Sequence, residues 1–240
     1  MKFGTLYLIP VTLGDDNIAE LLPKSLPPDV IKIVQTLEHF VVESEKSARQ
    51  FLSAIKTAKP VRELSLNLLN EHTQDKDVAA LLAPLLAGKD VGLMSDAGCP
   101  GIADPGAKLV ALAHQKNIKV IPFVGPSSIL LALMASGLNG QQFAFLGYLP
   151  VDKQARNVKL KEIEKRSQTH NETQIFIETP YRNQHMLEAI LSSCKANTRF
   201  CIACHINLPD EMIVTKRISD WKQNALPDLN KKPTVFLIIA

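Results

Sequence analysis

Two short stretches combine small residues, prolines and polar side chains in a way that leaves backbone N–H groups open to a ligand. One is Ser95-Asp-Ala-Gly-Cys-Pro-Gly-Ile-Ala-Asp-Pro-Gly106, directly after the apolar run Val91–Met94. The other is Gly125-Pro-Ser-Ser128, directly after Ile118–Val124. Each reads as a strand giving way to a helix. The free N–H groups of a helix start, beside residues too small to obstruct approach, suit a carboxylate or a phosphate. In open α/β sheets ligands sit at such junctions, at the carboxyl ends of the strands. Ordinary tight turns have a similar composition, so the two loops together weigh more than either alone.

The elements that must hold these loops alternate buried-strand runs with helical patterns, the signature of parallel sheets joined by crossover helices. Thr5–Ile9 opens the series. Val30–Val34 and Phe40–Val42 read as weaker strands, Lys46–Ile55 as a helix with Phe51, Leu52 and Ile55 on one face, and Val78–Leu86 as an amphipathic helix that Pro84 kinks. After the strand Val91–Met94 and its loop, Asp104 is placed to cap a helix with Pro105 in its first position. Leu109, Leu112 and Ala113 give that helix one apolar face, and Asn117 is its left-handed stop. Ile118–Val124 is a strand, and Gly125–Ser128 opens a nearly all-apolar helix, expected to be buried, that ends near Gly137. Phe143–Gly147, Gln174–Thr179, Arg199–Ile206 and Thr234–Ile239 follow as strands, with helices at Lys159–Arg166 and Gln184–Ser192. The expected class is α/β in two domains, 1–122 and 123–240, the first with a parallel sheet and the second with a new set of strands open to antiparallel pairing.

With 240 residues, 46% hydrophobic and 21% charged, the chain has the composition of a folded globular protein. Its net charge of +3 tolerates an anionic partner without demanding one. Met1–Pro10 lacks both a basic flank and a cleavage site, and no apolar stretch reaches membrane-spanning length, so a cytoplasmic protein without a membrane partner is expected. Cys201 and Cys204 form a C-x-x-C inside a strand pattern, where residues three apart face opposite sides, so a metal or redox pair is not expected and all four cysteines read as thiols. No G-x-G-x-x-G follows the first strand, and there is no Walker loop, H-E-x-x-H or second C-x-x-C, which weakens dinucleotide, nucleoside-triphosphate and zinc readings.

Five segments, taken in order, carry a family resemblance: Leu6-Tyr-Leu-Ile-Pro-Val-Thr-Leu-Gly14, Ser95–Gly106, Val120-Ile-Pro-Phe-Val-Gly-Pro-Ser-Ser128, Gly147-Tyr-Leu-Pro150 and Glu178-Thr-Pro-Tyr-Arg182. The chain resembles the tetrapyrrole-methylase superfamily, and within it the small-subunit ribosomal RNA (cytidine-2′-O)-methyltransferase I family. The resemblance implies an N-terminal parallel-sheet domain, a C-terminal mixed-sheet domain, a homodimer with S-adenosylmethionine in a cleft between the two domains, and no metal. Carried over by position, Pro10, Ser95, Asp96, Ala97, Gly98, Ile102, Ala103, Asp104, Pro126, Ser127, Ser128 and Ala203 line the cofactor site, largely through backbone groups. A sulfonium loses its charge during methyl transfer, so Asp96 and Asp104 are expected to orient backbone or polar ends of the cofactor and not to act as counter-ions.

Departures from the family fall on the acceptor side. Glu-Asp-Thr-Arg becomes Glu43-Ser44-Glu45-Lys46, Ala-Arg-Glu becomes Ala203-Cys204-His205, the acidic pair before the last strand becomes Lys232-Pro233, and His-x-x-Glu survives only as Glu71-His72-Thr73-Gln74. Losing an arginine removes a fork of donors that cysteine cannot replace. For a ribose hydroxyl acceptor, Glu43 is the candidate base or acceptor-orienting carboxylate and Arg182 the candidate anchor for an anionic substrate, with a structural salt bridge as the competing role. Lys153 and Arg156 are candidate phosphate contacts, with a solvated surface as the equal alternative. Three readings follow: a ribosomal RNA 2′-O-methyltransferase, a methyltransferase acting on a tetrapyrrole or other small molecule, and a non-catalytic cofactor-binding regulator.

Overall fold

Leu6 and Ile9 are fully buried, and β1 (Thr5–Leu8) runs through the middle of a parallel sheet. The computed structural model describes residues 2–14 and 17–240, so Met1 of the apolar Met1–Pro10 run lies outside the described residues. The chain divides into two compact units, the first ending at Ser127 and the second running Ser128–Ala240.

After β1, the first unit continues with α1 (Ile18–Ser25), α2 (Pro28–Thr36), β2 (His39–Val42), α3 (Glu45–Ile55), β3 (Ser65–Leu68), α4 (Asp75–Val78), α5 (Ala83–Leu86), β4 (Val91–Met94), α6 (Gly106–Gln115) and β5 (Lys119–Pro122). Its five strands lie in the order β3-β2-β4-β1-β5, every neighbouring pair parallel. One face is closed by Leu22, Val30, Val34, Phe51, Leu52 and Ile55 from α1, α2 and α3. The other is closed by Val78, Leu85, Leu109 and Ala113 from α4, α5 and α6. The chain therefore leaves β1 toward one face and β4 toward the other. Because these strands are adjacent, their carboxyl ends open where the connections part, which is where sheets of this kind bind ligands.

The second unit contains α7 (Ser128–Ser136), β6 (Phe143–Tyr148), α8 (Lys153–His170), β7 (Thr173–Ile177), α9 (Asn183–Ser193), β8 (Arg199–Cys204), β9 (Met212–Arg217), α10 (Ile218–Gln223) and β10 (Thr234–Ile239). Its sheet is mixed, in the order β6-β7-β10-β8-β9, with only β6–β7 parallel. Phe176, Phe200 and Phe236 pack in a row with ring centroids 5.9 and 6.1 Å apart, and Trp221 closes the cluster while donating its indole N–H to Phe200 O at 3.0 Å. Among the described residues no helix is long and apolar enough to cross a membrane.

Several local expectations need correction. Val30–Val34 is helical, not extended: Pro28 sits in the first turn, where its missing N–H costs nothing, and Val30 and Val34 bury one side at i, i+4 spacing. Val78–Leu86 is not one helix but α4, a 3₁₀ turn at Ala79–Leu82, and α5 with Pro84 in its first turn. Pro105 is the N-cap of α6 and not its first helical residue. Lys159–Arg166 is the middle of an 18-residue helix, capped at Asp152 by a bond from Ala155 N. The apolar helix α7 buries Ala132 and Leu133 but leaves Leu130 and Met134 exposed, because it has the sheet on one side only. Asn117 does take the left-handed conformation, at φ 55°.

Candidate functional site

The loop after β4 is braced on three sides within the first unit. Val11, just past β1, donates to Gly98 O at 2.9 Å. Cys99 Sγ donates to Pro126 O, beyond β5, at 3.3 Å. Glu43, just past β2, accepts the Asp96 N–H through Oε2 at 3.0 Å. The ends of β2, β4, β1 and β5, neighbours in the sheet, thus meet at one place. They bring together Pro10, Glu43, Ser95, Asp96, Ala97, Gly98 and Pro126, and the same loop carries Ile102, Ala103 and Asp104.

Asp104 shapes the loop's second half. Its carboxylate accepts from Gly101 N at 2.8 and 2.9 Å and from Gly106 N at 2.6 Å, a local turn that doubles as the entry to α6. Gly98 sits at φ 72° and Gly101 at φ 81°, and Ala103 holds φ 62°, a conformation costing a non-glycine residue about 1–2 kcal/mol. Such strain persists where surrounding contacts impose it, and it concentrates at binding loops. Ser95 is buried and donates its hydroxyl to Ala97 O at 3.2 Å. Ala97 and Ala103 are exposed, as is Ile102 at 53%. Among the described residues the N–H groups of Ala97, Ile102 and Ala103 donate to no protein acceptor. They are open donors beside small side chains and one exposed apolar side chain.

The loop after β5 packs against the start of the β1 loop. Gly125 lies so close to Pro10 that a Cβ on it would fall 2.2 Å from the proline Cβ. Pro126 is buried, and Ser127 and Ser128 are partly exposed at the start of α7.

Burial raises the Glu43 carboxyl above the ordinary glutamate range; the Asp96 N–H opposes this, and the Asp96, Asp104 and Glu71 charges add to it. Burial also raises Asp104, against the pull of its Gly106 and Gly101 amides. With the folded value above the unfolded one, the folded state holds the Glu43 proton more tightly. Its contribution to stability is therefore full below the unfolded value and lost as pH rises through the folded one. Glu43→Gln keeps an acceptor for Asp96 and removes the charge. It should be at least as stable as the parent at pH 7, with the difference closing at acid pH, as read by urea unfolding at the two ends. A variant less stable at neutral pH than in acid, relative to the parent, would contradict this electrostatic account.

Five candidates belong to the second unit: Ser128, Lys153, which is exposed at the start of α8, Arg156, Arg182 and Ala203. Arg182 is engaged: its Nε and Nη2 both donate to Glu178 Oε1, at 2.9 and 2.7 Å, and that oxygen also accepts from Thr179 N at 2.7 Å. The Glu178 side chain is fully buried, its Oε2 has no partner among the described residues, and Arg182 is about one-third exposed. The geometry is that of a structural ion pair with part of one guanidinium left over. Arg156 is buried and donates to Val151 O at 3.1 Å, so it is no solvated surface charge. Ala203 lies in the interior strand β8 with its side chain fully covered. Cys201 and Cys204 are buried free thiols, with Cys204 in the aromatic cluster beside Phe200 and Ile202 and Cys201 outside it.

The model of the family described as tetrapyrrole (corrin/porphyrin) methylases matches residues 6–221. "Ribosomal RNA small subunit methyltransferase I" of Vibrio cholerae serotype O1 is 32% identical over 234 residues, 98% of this chain and 76% of that protein. Proteins of the same name are 28% identical in Xylella fastidiosa, over 98% of this chain and 81% of theirs, and 31% identical in Escherichia coli O157:H7, over 79% and 60%. Among solved structures, the methyltransferase CobJ superposes with a TM-score of 0.62 at 16% identity, covering 100% of this chain and 94% of that one. Uroporphyrin-III-C-methyltransferase from Thermus thermophilus gives 0.56 at 17%, covering 100% and 93%. At these identities the structures speak to the fold alone.

Proposed function

Since this chain belongs to the tetrapyrrole methylases and is an S-adenosylmethionine-dependent methyltransferase, we propose that its acceptor is a ribose 2′-oxygen of small-subunit ribosomal RNA. The observation that carries this reading is likeness to "Ribosomal RNA small subunit methyltransferase I" over 98% of the chain. The uroporphyrin-III-C-methyltransferase of like fold is about half as similar in sequence, 17% against 32% identical.

The loops after β1, β4 and β5 suit the donor molecule. Open N–H groups at Ala97, Ile102 and Ala103 are available to its carboxylate and to its ribose and adenine acceptors, and the exposed Ile102 side chain offers an apolar contact. When bound, the cofactor supplies an electrophilic methyl group on a sulfonium. Asp104 is turned onto Gly101 and Gly106, so its charge is met by amides and it shapes the loop without acting as a counter-ion. That suits a reaction in which positive charge disappears, because a carboxylate on the sulfonium would favour the ground state over the transition state.

Glu43 is assigned two tasks by its two oxygens. Oε2 fixes Asp96, and Oε1, with no partner among the described residues, takes the acceptor hydroxyl and its proton. Burial keeps this carboxyl closer to the working pH than a free glutamate, which favours a general base. Arg182 keeps only its uncommitted guanidinium nitrogen for an anion.

Mapping ribose methylation on small-subunit RNA from cells with and without the gene tests the acceptor. Loss of a 2′-O-methyl group on deletion, restored by purified protein and S-adenosylmethionine, is the expected result. Methyl transfer to uroporphyrinogen-type substrates alone rejects RNA, and cofactor binding without any methylated product rejects catalysis.

A further inference from the structure

In the second unit, a cleft of about 290 Å³ is bounded by Asn171, Asn197, Arg199, Arg217, Ile239 and Ala240. Arg199 and Arg217 are direct register partners on the antiparallel pair β8–β9, so both guanidiniums leave the same face of the sheet side by side. Like charges placed this way repel and weaken the strand pair. A carboxylate between them would relieve the repulsion, but among the described residues neither arginine forms an ion pair. Among the described residues the one hydrogen bond from either side chain is a long donation from Arg199 Nη1 to Gly137 O, at 3.4 Å.

The remaining walls add donors and lower the local polarity. Asn171 and Asn197 contribute carboxamides, each with two N–H donors. Ile239 is an apolar wall, and a charge contact beside it is less screened than one in open water. Asn171 also caps the carboxyl end of α8, whose partial negative charge of about half a unit opposes an anion, as does the carboxylate at Ala240, and the two full positive charges exceed both together. Two planar forks converging on one concavity match the oxygens of a phosphate, which guanidinium binds bidentately.

We propose that this cleft is a phosphodiester-binding site that grips the backbone of the RNA acceptor. The inference rests on the RNA reading above and adds to it a second place of contact. Two forks around one phosphate hold the strand whatever its bases, so this contact sets affinity and position, and sequence is read elsewhere.

The test is fluorescence anisotropy of the full chain with a labelled single-stranded oligoribonucleotide, repeated over a range of KCl concentrations. Arg199→Ala/Arg217→Ala should bind at least about tenfold more weakly, and the slope of log affinity against log salt should fall by roughly 0.7 for the one phosphate lost. Its affinity for S-adenosylmethionine should not change. Arg62→Ala/Lys76→Ala, which removes the same charge from the first unit, should leave the slope near that of the parent. Should the alanine pair fail to fold, Arg199→Lys/Arg217→Lys takes its place: it keeps the charge but not the forks, and should retain the slope with reduced affinity. Unchanged binding in the cleft variants, or an equal fall in the control pair, overturns the site while the parent's own RNA binding leaves the RNA reading standing. A parent protein that methylates a non-RNA acceptor and binds no oligoribonucleotide overturns both.

Discussion

Glu43→Ala is expected to lower kcat by about 10²- to 10⁴-fold, the range for loss of a positioned general base. The same substitution should weaken binding of the methyl donor, because it also removes the oxygen that holds Asp96 N–H at 3.0 Å. Glu43→Gln separates the two tasks. Its carbonyl still accepts from Asp96, so donor affinity should stay near the parent value, while kcat falls as far as in the alanine variant because an amide takes no proton. In the parent enzyme kcat should drop as pH falls through the raised value of this carboxyl, and that limb should vanish in the glutamine variant. Single-turnover rates with saturating donor, measured across pH, check all of this. Near-parent rates for Glu43→Gln would reduce Glu43 to an anchor for the loop.

Gly125→Ala is expected to cost roughly 100-fold in donor affinity, the scale on which a shift of about 1 Å disrupts a positioned site. The new Cβ would stand 2.2 Å from Pro10 Cβ and 2.5 Å from Pro10 Cγ, far inside the contact distance of about 3.5–4.0 Å between carbons. Both partners are stiff, since the proline ring cannot rotate away and Pro126 follows directly in the chain. The loops after β1 and β5 must therefore separate, and Val11 and Pro126 take with them the braces on Gly98 and Cys99. Overpacking of this kind destabilises by about 1–3 kcal/mol, so the fold should survive for calorimetric titration. Parent-like affinity would show that the two loops do not jointly form the donor site.

The legible parts of this molecule were those whose signal is local. Val91–Met94 followed by a run of Gly, Pro and Asp announces a strand and a tight loop within 16 residues, and the structure places both there. The parallel sheet likewise followed from the alternation of apolar runs with helical patterns, while the mixed sheet came from the family resemblance. What was misread depended on contacts remote in the chain or on propensities that conflict. Val30-Ile-Lys-Ile-Val34 is β-branched and reads as a strand, yet a proline at the helix start and burial at i, i+4 outweigh that preference. The edge strands β3 and β9 were missed because polar residues interrupt their apolar runs, Ser65 and Asn67 in one and Thr215-Lys216-Arg217 in the other, whereas the equally exposed edge strands β5 and β6 keep longer apolar runs. The Glu43–Asp96 bond spans 53 positions and exists only because β2 and β4 lie side by side, an arrangement no local pattern encodes. The Arg182–Glu178 pair did have a signal, four-residue spacing across a turn, and the buried carboxylate explains why that arginine is tied down.

An amide-resolved NMR titration of the intact chain with S-adenosylmethionine tests the donor-loop assignment most directly. The largest shifts are expected at Ala97, Gly98, Ile102 and Ala103, with Ser127 moving at the same midpoint. Saturable binding that leaves those amides where they were, or no binding at all, would contradict it.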